Sequence, residues 1–210
     1  MRLETWWLFC AVVFVLSATP GPNMLHVLTR SVAVGVRRGT AAMAGCGAAV
    51  LTALIASAAG LAAVLTAFPL LFEVIRYAGA AYLAWLGVRA WMERGAAPDE
   101  TAEGGGSGRV SLAALFRGGY LVGITNPKLL LFAAAFLPQF IDPARPQGRQ
   151  FVILIATFGV IEMFWYGVYG LGGQTLARWL KGQKVRTLFN RLTGTLFFGF
   201  GLMLVRARLD

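Results

Sequence analysis

Apolar residues in this chain do not alternate with polar ones; they run on. Long apolar stretches fall near 5–28, 40–68, 70–91, 112–140, 151–179 and 188–205, and the segments between them collect most of the charge. A helix rises about 1.5 Å per residue, so a run of roughly twenty residues crosses a hydrocarbon core about 30 Å thick. The pattern predicts an all-α polytopic membrane protein with six transmembrane helices forming a single transporter-sized domain over 1–210. Phe68 and Pro69 mark a short turn between the second and third spans. The one long polar segment, 93–109, is rich in Gly and acidic residues and reads as a flexible linker.

Two spans are interrupted. In the first, Pro20, Gly21 and Pro22 precede Asn23; in the fourth, Asn126, Pro127 and Lys128 follow one another. A proline in a helix interior costs about 3 kcal/mol, so these positions predict helix breaks. Pro22 and Pro127 are 105 residues apart, and the chain halves at 105, inside the linker. Later in each half, "RYAGAAYLAWLGVRA" is matched by "RLTGTLFFGFGLMLVRA". Shared landmarks in shared order predict two repeats, 1–92 and 110–210. Three spans per repeat is an odd number, so the second repeat must be inverted, a plan found in secondary transporters. Pro22 lies about 12 Å of helix rise from Arg30, and Pro127 about 15 Å from Arg117, which places both breaks deep in the bilayer. Backbone groups freed there need partners from neighbouring helices, side chains or a wet cavity. Two breaks facing each other would make a polar pocket near the midplane.

Composition sharpens this picture. Of 210 residues, 58% are hydrophobic and only 13% charged, too few to cover the surface of a soluble fold. The net charge of +10 does not point to nucleic acid, because the basic residues lie between apolar runs and not in an aromatic-laced patch. A secretory leader is a competing reading of the first run. Glu4 within its charged start, Trp6 and Trp7 at an interface position, and the continuation past Ala18 argue against it. The loops after spans one, three and five carry twelve Lys and Arg, the opposite side five. The positive-inside rule then places those loops in the cytoplasm and both termini outside, in the inner (plasma) membrane.

Ionisable residues within the spans are expensive and point to function. Lys128 directly follows the fourth-span break, where a cation and exposed helix N–H groups suit a carboxylate; the alternatives are snorkelling or pairing with an acidic residue. Asn23 and Asn126 can cap freed backbone or bind a polar solute. Glu162, deep in span five, is a candidate proton carrier or partner for an ammonium, or a structural partner of Lys128. His26, the only histidine, is a candidate proton relay or a hydrogen-bonded packing residue. Glu73 and Arg76 read as an interfacial helix pair. The small residues of span two suit tight packing within one chain, or alternatively a surface between copies of it. "MFWYGVYG" could line a pocket or form an aromatic interface belt, the belt being the default reading. Cys10 and Cys46 read as packing residues. No nucleophile–base pair, cofactor fingerprint or metal-ligand cluster is present, so an enzyme is the weakest reading and no cofactor is expected. A divalent-cation transporter is the alternative, with Glu73, Glu162 and His26 its only ligands in the spans.

"TPGPNMLHVLTRSVAVGVRRGTAAMAG", "YAGAAYLAWLG" and "GYLVGITNPKLLLFAAAFLPQF" together resemble the LysE/RhtB family of amino-acid exporters, over nearly the whole chain. The resemblance implies a six-helix inner-membrane transporter that expels a small amino acid or derivative, driven by the proton gradient. It assigns Pro20, Gly21, Pro22, Asn23, Asn126, Pro127 and Lys128 to the substrate site. Gly79, Tyr82, Leu83 and Gly87 match the third-span motif, taken as packing, and Pro138, Gln139 and Phe140 match the end of span four. One departure stands out: where many relatives carry a polar or ionisable residue in span two, this chain has only Cys46 and Thr52. That shifts weight for proton coupling onto Glu162, His26 and Lys128.

Overall fold

The structure is a computed structural model. It describes residues 1–67, 110–142 and 144–181, with single helical positions between 74 and 92 and between 187 and 202. The 93–109 linker, the pair Glu73–Arg76, and Gly79, Tyr82 and Leu83 lie outside the described residues, as does most of the third and sixth expected spans.

The protein is all-helical in its described residues. Helix α1 (Leu3–Ala18) and α2 (Pro22–Val34) are followed by the long α3 (Val36–Ala67), and then by α4 (Leu112–Ile124) and α5 (Pro127–Leu131). A π-helical turn (Phe132–Phe136) and a 3₁₀ turn (Leu137–Phe140) extend α5, and α6 (Gln147–Lys181) completes the set. Helices α3 and α6 are each long and apolar enough to cross a membrane, over Val36–Gly60 and Gln147–Gly173. Gly173, at φ +39°, ends the straight part of α6. The pairs α1–α2 and α4–α5 cross as bent spans, with bends of 51° and 54°. Both bends fall where proline predicts them. In each case the proline opens the second half-helix, as Pro22 and Pro127, where its missing N–H has no partner to lose.

Close glycine contacts fix the directions of the spans. A Cβ on Gly45 would lie 2.0 Å from the Phe116 carbonyl oxygen, and one on Gly119 would lie 2.3 Å from that of Ala42. Further along, Gly123 meets Ala49, and the Ser57 hydroxyl donates to the Ala133 carbonyl. Contacts that advance together mean that α3 and the α4–α5 span run parallel. Two parallel neighbours need a return crossing between them in the chain, which is the place of the third expected span. The broken first span runs parallel to α6: Trp6 Nε1 donates to Thr157 Oγ1 at 3.0 Å, and Phe14 stacks on Phe164. Of the third and sixth spans, Gly87 and Gly194 approach backbone to backbone, each Cβ position within 3 Å of the other's carbonyl oxygen. Trp91 Nε1 donates to Thr195 Oγ1 at 3.1 Å nearby. The small residues of span two thus pack within the chain, as expected.

Two apolar clusters fill the interior. One gathers Phe9, Val13, Leu54, Phe132, Leu137 and Leu154 with their neighbours around α1 and the irregular end of span four. Phe140, of the Pro-Gln-Phe motif, packs edge-on to Phe9 there, at 5.0 Å. The other joins Met24, Val27, Leu28, Met43, Cys46, Tyr166 and Tyr169. A thin polar layer separates them.

Candidate functional site

That layer is the junction of the two helix breaks. Ending α1 at Ala18 leaves its last carbonyls without intrahelical partners, and the structure supplies substitutes. Lys128 Nζ donates to the Leu16 carbonyl at 2.6 Å and to that of Thr19 at 3.3 Å. Tyr169 donates its hydroxyl proton to the Ala18 carbonyl at 2.8 Å, and Thr19 Oγ1 donates to Val15 at 3.0 Å. A cation at a helix C-terminus also meets the negative end of the helix dipole. Lys128 therefore neither snorkels nor pairs directly with Glu162; it closes the broken end of α1 from the start of α5.

The asparagines join the two breaks. Asn126 Oδ1 accepts from the Lys128 backbone N–H at 3.0 Å, capping α5. Its Nδ2 donates to Asn23 Oδ1 at 2.9 Å, and Asn23 Nδ2 donates in turn to Tyr166 Oη at 3.0 Å. Asn23 is 4% and Asn126 5% exposed, so these bonds form where an unpaired amide is costly. Tyr166→Phe removes the acceptor of Asn23 Nδ2. Stability should fall by about 1–3 kcal/mol, read as a lower thermal midpoint in detergent; an unchanged midpoint would show that this bond contributes nothing.

A cavity of about 20 Å³ lies in this layer, room for roughly one water. Its polar wall is Asn23, Asn126, Lys128 and Glu162, with the backbone of Gly21 at one edge. Asn23 and Met24 are the second and third residues of α2, and Lys128 and Leu129 hold the same places in α5. The N-terminal turns of both half-helices thus open on one point. A Cβ on Gly21 would stand 3.6 Å from Lys128 Cδ, in ordinary van der Waals contact, so the lysine stem runs alongside this backbone. Glu162 is buried, and its Oε2 has no hydrogen-bond partner; the same holds for the hydroxyl of Ser17.

The candidate residues divide accordingly. Gly21, Asn23, Asn126, Lys128 and Glu162 come together on the cavity, while Pro20, Pro22 and Pro127 shape the backbone around it. His26 is not on its wall. It faces Gly118 of α4, whose Cβ position lies 3.6 Å from the imidazole, and its Nε2 is buried without a partner. Cys46 is a buried packing residue. Thr52 donates to the Ala48 carbonyl of its own helix at 2.8 Å. The aromatic-belt expectation is corrected for Tyr166 and Tyr169. Both are buried and bonded across the breaks, whereas Met163 and Phe164 face outward. The two tyrosines are three positions apart, which puts them on one helix face; that spacing was the signal available in the sequence.

The model of the LysE type translocator family matches residues 14–208. The homoserine/homoserine lactone efflux protein of Salmonella typhimurium (strain LT2) is 35% identical over 209 residues, 99% of each chain. The leucine efflux protein of Enterobacter sp. (strain 638) is 35% identical over 206 residues, covering 94% of this chain and 93% of its own. No solved structure matches the chain. With a family match over most of its length and relatives that align from end to end, this chain belongs to the LysE type translocators, a family of membrane transporters and not of enzymes.

Proposed function

We propose that this chain is a secondary active transporter that exports a small amino acid or amino-acid derivative across the bacterial inner membrane in exchange for protons. The observation that carries the reading is the cavity at the meeting of two half-helix N-termini, with one cation and one carboxylate on its wall. A zwitterion needs both. Its carboxylate would draw Lys128 from the α1 carbonyls and gain the positive ends of α2 and α5. Its ammonium would meet Glu162, whose open Oε2 has no competing partner. The names of the relatives, efflux proteins for homoserine, its lactone and leucine, support the same substrate class and direction. Glu162 is the first choice for the group that takes up the exchanged proton. His26, one turn along α2 from Asn23, is the second. The two repeats, 1–92 and 110–210, would rock about this layer so that it opens to one side at a time, with both termini outside and the odd loops cytoplasmic. Among the described residues no three His, Cys, Asp or Glu side chains gather; Glu73, one of the three ligands a divalent-cation carrier would use, lies outside them.

The test is transport by purified protein in liposomes loaded with labelled amino acids, under an imposed pH gradient. Loss of one or a few amino acids that depends on the gradient is the expected result. Retention of every amino acid and derivative by folded protein would overturn the proposal.

A further inference from the structure

The cavity has a second wall of different chemistry, made by Met24, Leu129, Phe132 and Phe158. Phe132 is 5% and Phe158 2% exposed, and their rings lie 4.9 Å apart at 49°. Their places in the chain relate them to the charged groups. Phe132 follows Lys128 by four residues, and Phe158 precedes Glu162 by four. Residues four apart share a helix face, one turn or about 6 Å along the axis. Each charged side chain on the cavity therefore has a phenylalanine one turn away on its own span, and the two rings meet. Phe132 also stands at the start of the π-helical turn, a local irregularity found often at functional sites.

We infer that Phe132 and Phe158 form the side-chain end of the binding site and set the largest side chain the carrier accepts. This rests on the amino-acid substrate proposed above. With the main-chain charges held by Lys128 and Glu162, the remaining wall is apolar: Leu16, Met24 and Leu129 with the ring pair, whose two side chains are its largest. An apolar wall discriminates by size: one methylene more or less changes acceptance about 10- to 200-fold. The rings thus act as a floor whose depth limits substrate length.

The experiment measures competition between labelled leucine and labelled phenylalanine in proteoliposomes, as a ratio of transport rates, for wild type, Phe158→Ala, Phe158→Leu and Phe132→Leu. The phenylalanine-to-leucine ratio should rise about tenfold or more in Phe158→Ala and by a smaller factor in the two leucine variants. The leucine variants keep most of the buried volume, so they carry the readout if the alanine variant does not fold. A ratio unchanged in every folded variant, with wild type transporting, overturns the inference alone. Wild-type protein that moves no amino acid overturns the substrate reading, and this inference with it.

Discussion

Lys128→Met should lower transport about a hundredfold or more. Removing one partner of a buried charge pair costs about 2–5 kcal/mol, and 1.4 kcal/mol is a factor of ten. Two effects combine. The substrate carboxylate loses its counter-charge, and the carbonyls of Leu16 and Thr19 lose a donor. The second effect also loosens the end of α1, so the thermal midpoint in detergent should fall with the rate. Lys128→Arg separates the two roles. It keeps the charge, but replaces a compact ammonium with three rotatable donors by a planar guanidinium with a fixed donor fork. Arginine should preserve most of the stability and little of the transport. A methionine variant that transports at the wild-type rate would remove Lys128 from the mechanism.

The largest effect on folding should come from Gly45→Ala. Its new Cβ would sit 2.0 Å from the Phe116 carbonyl oxygen and 2.9 Å from the Tyr120 backbone nitrogen. Both obstacles are backbone, so no rotamer change relieves them and α3 must move away from α4. Overpacking costs about 1–3 kcal/mol and occasionally more; a backbone clash belongs at the upper end, about 3 kcal/mol. Gly47→Ala is the control, because its Cβ would meet only the Met163 sulfur, at 3.2 Å, the far part of a flexible side chain. The thermal midpoint should drop sharply in the first variant and little in the second. Equal midpoints would show that the α3–α4 approach is not close-packed.

The breaks were legible in the sequence because proline has a backbone meaning that no neighbour can reverse. Pro22 and Pro127 both open half-helices, as their chemistry requires. The similar depth of the two breaks was expected from the sequence, but the bond between Asn23 and Asn126 was not. The partners of Lys128 were not legible. They are main-chain carbonyls of Leu16 and Thr19, and a carbonyl is the same in every residue. Tyr166 was misread for a related reason. An aromatic run near a membrane reads as a belt when composition alone is weighed, and only the neighbouring helices decide which of its faces turns inward.

The carbonyls that hold Lys128 at the end of α1 are, on the proposed mechanism, an internal stand-in for the carboxylate of the cargo. Cargo must displace that stand-in before it is held, so its apparent affinity is lowered by whatever share of carriers has the lysine engaged. For an outward pump this is an advantage. A carrier that grips tightly releases slowly, and one facing surroundings already rich in cargo would stay filled on the wrong side. On the proposed mechanism the ejecting group is built in: each departure would be completed by the lysine returning to Leu16 and Thr19, and weak holding would become the means of letting go.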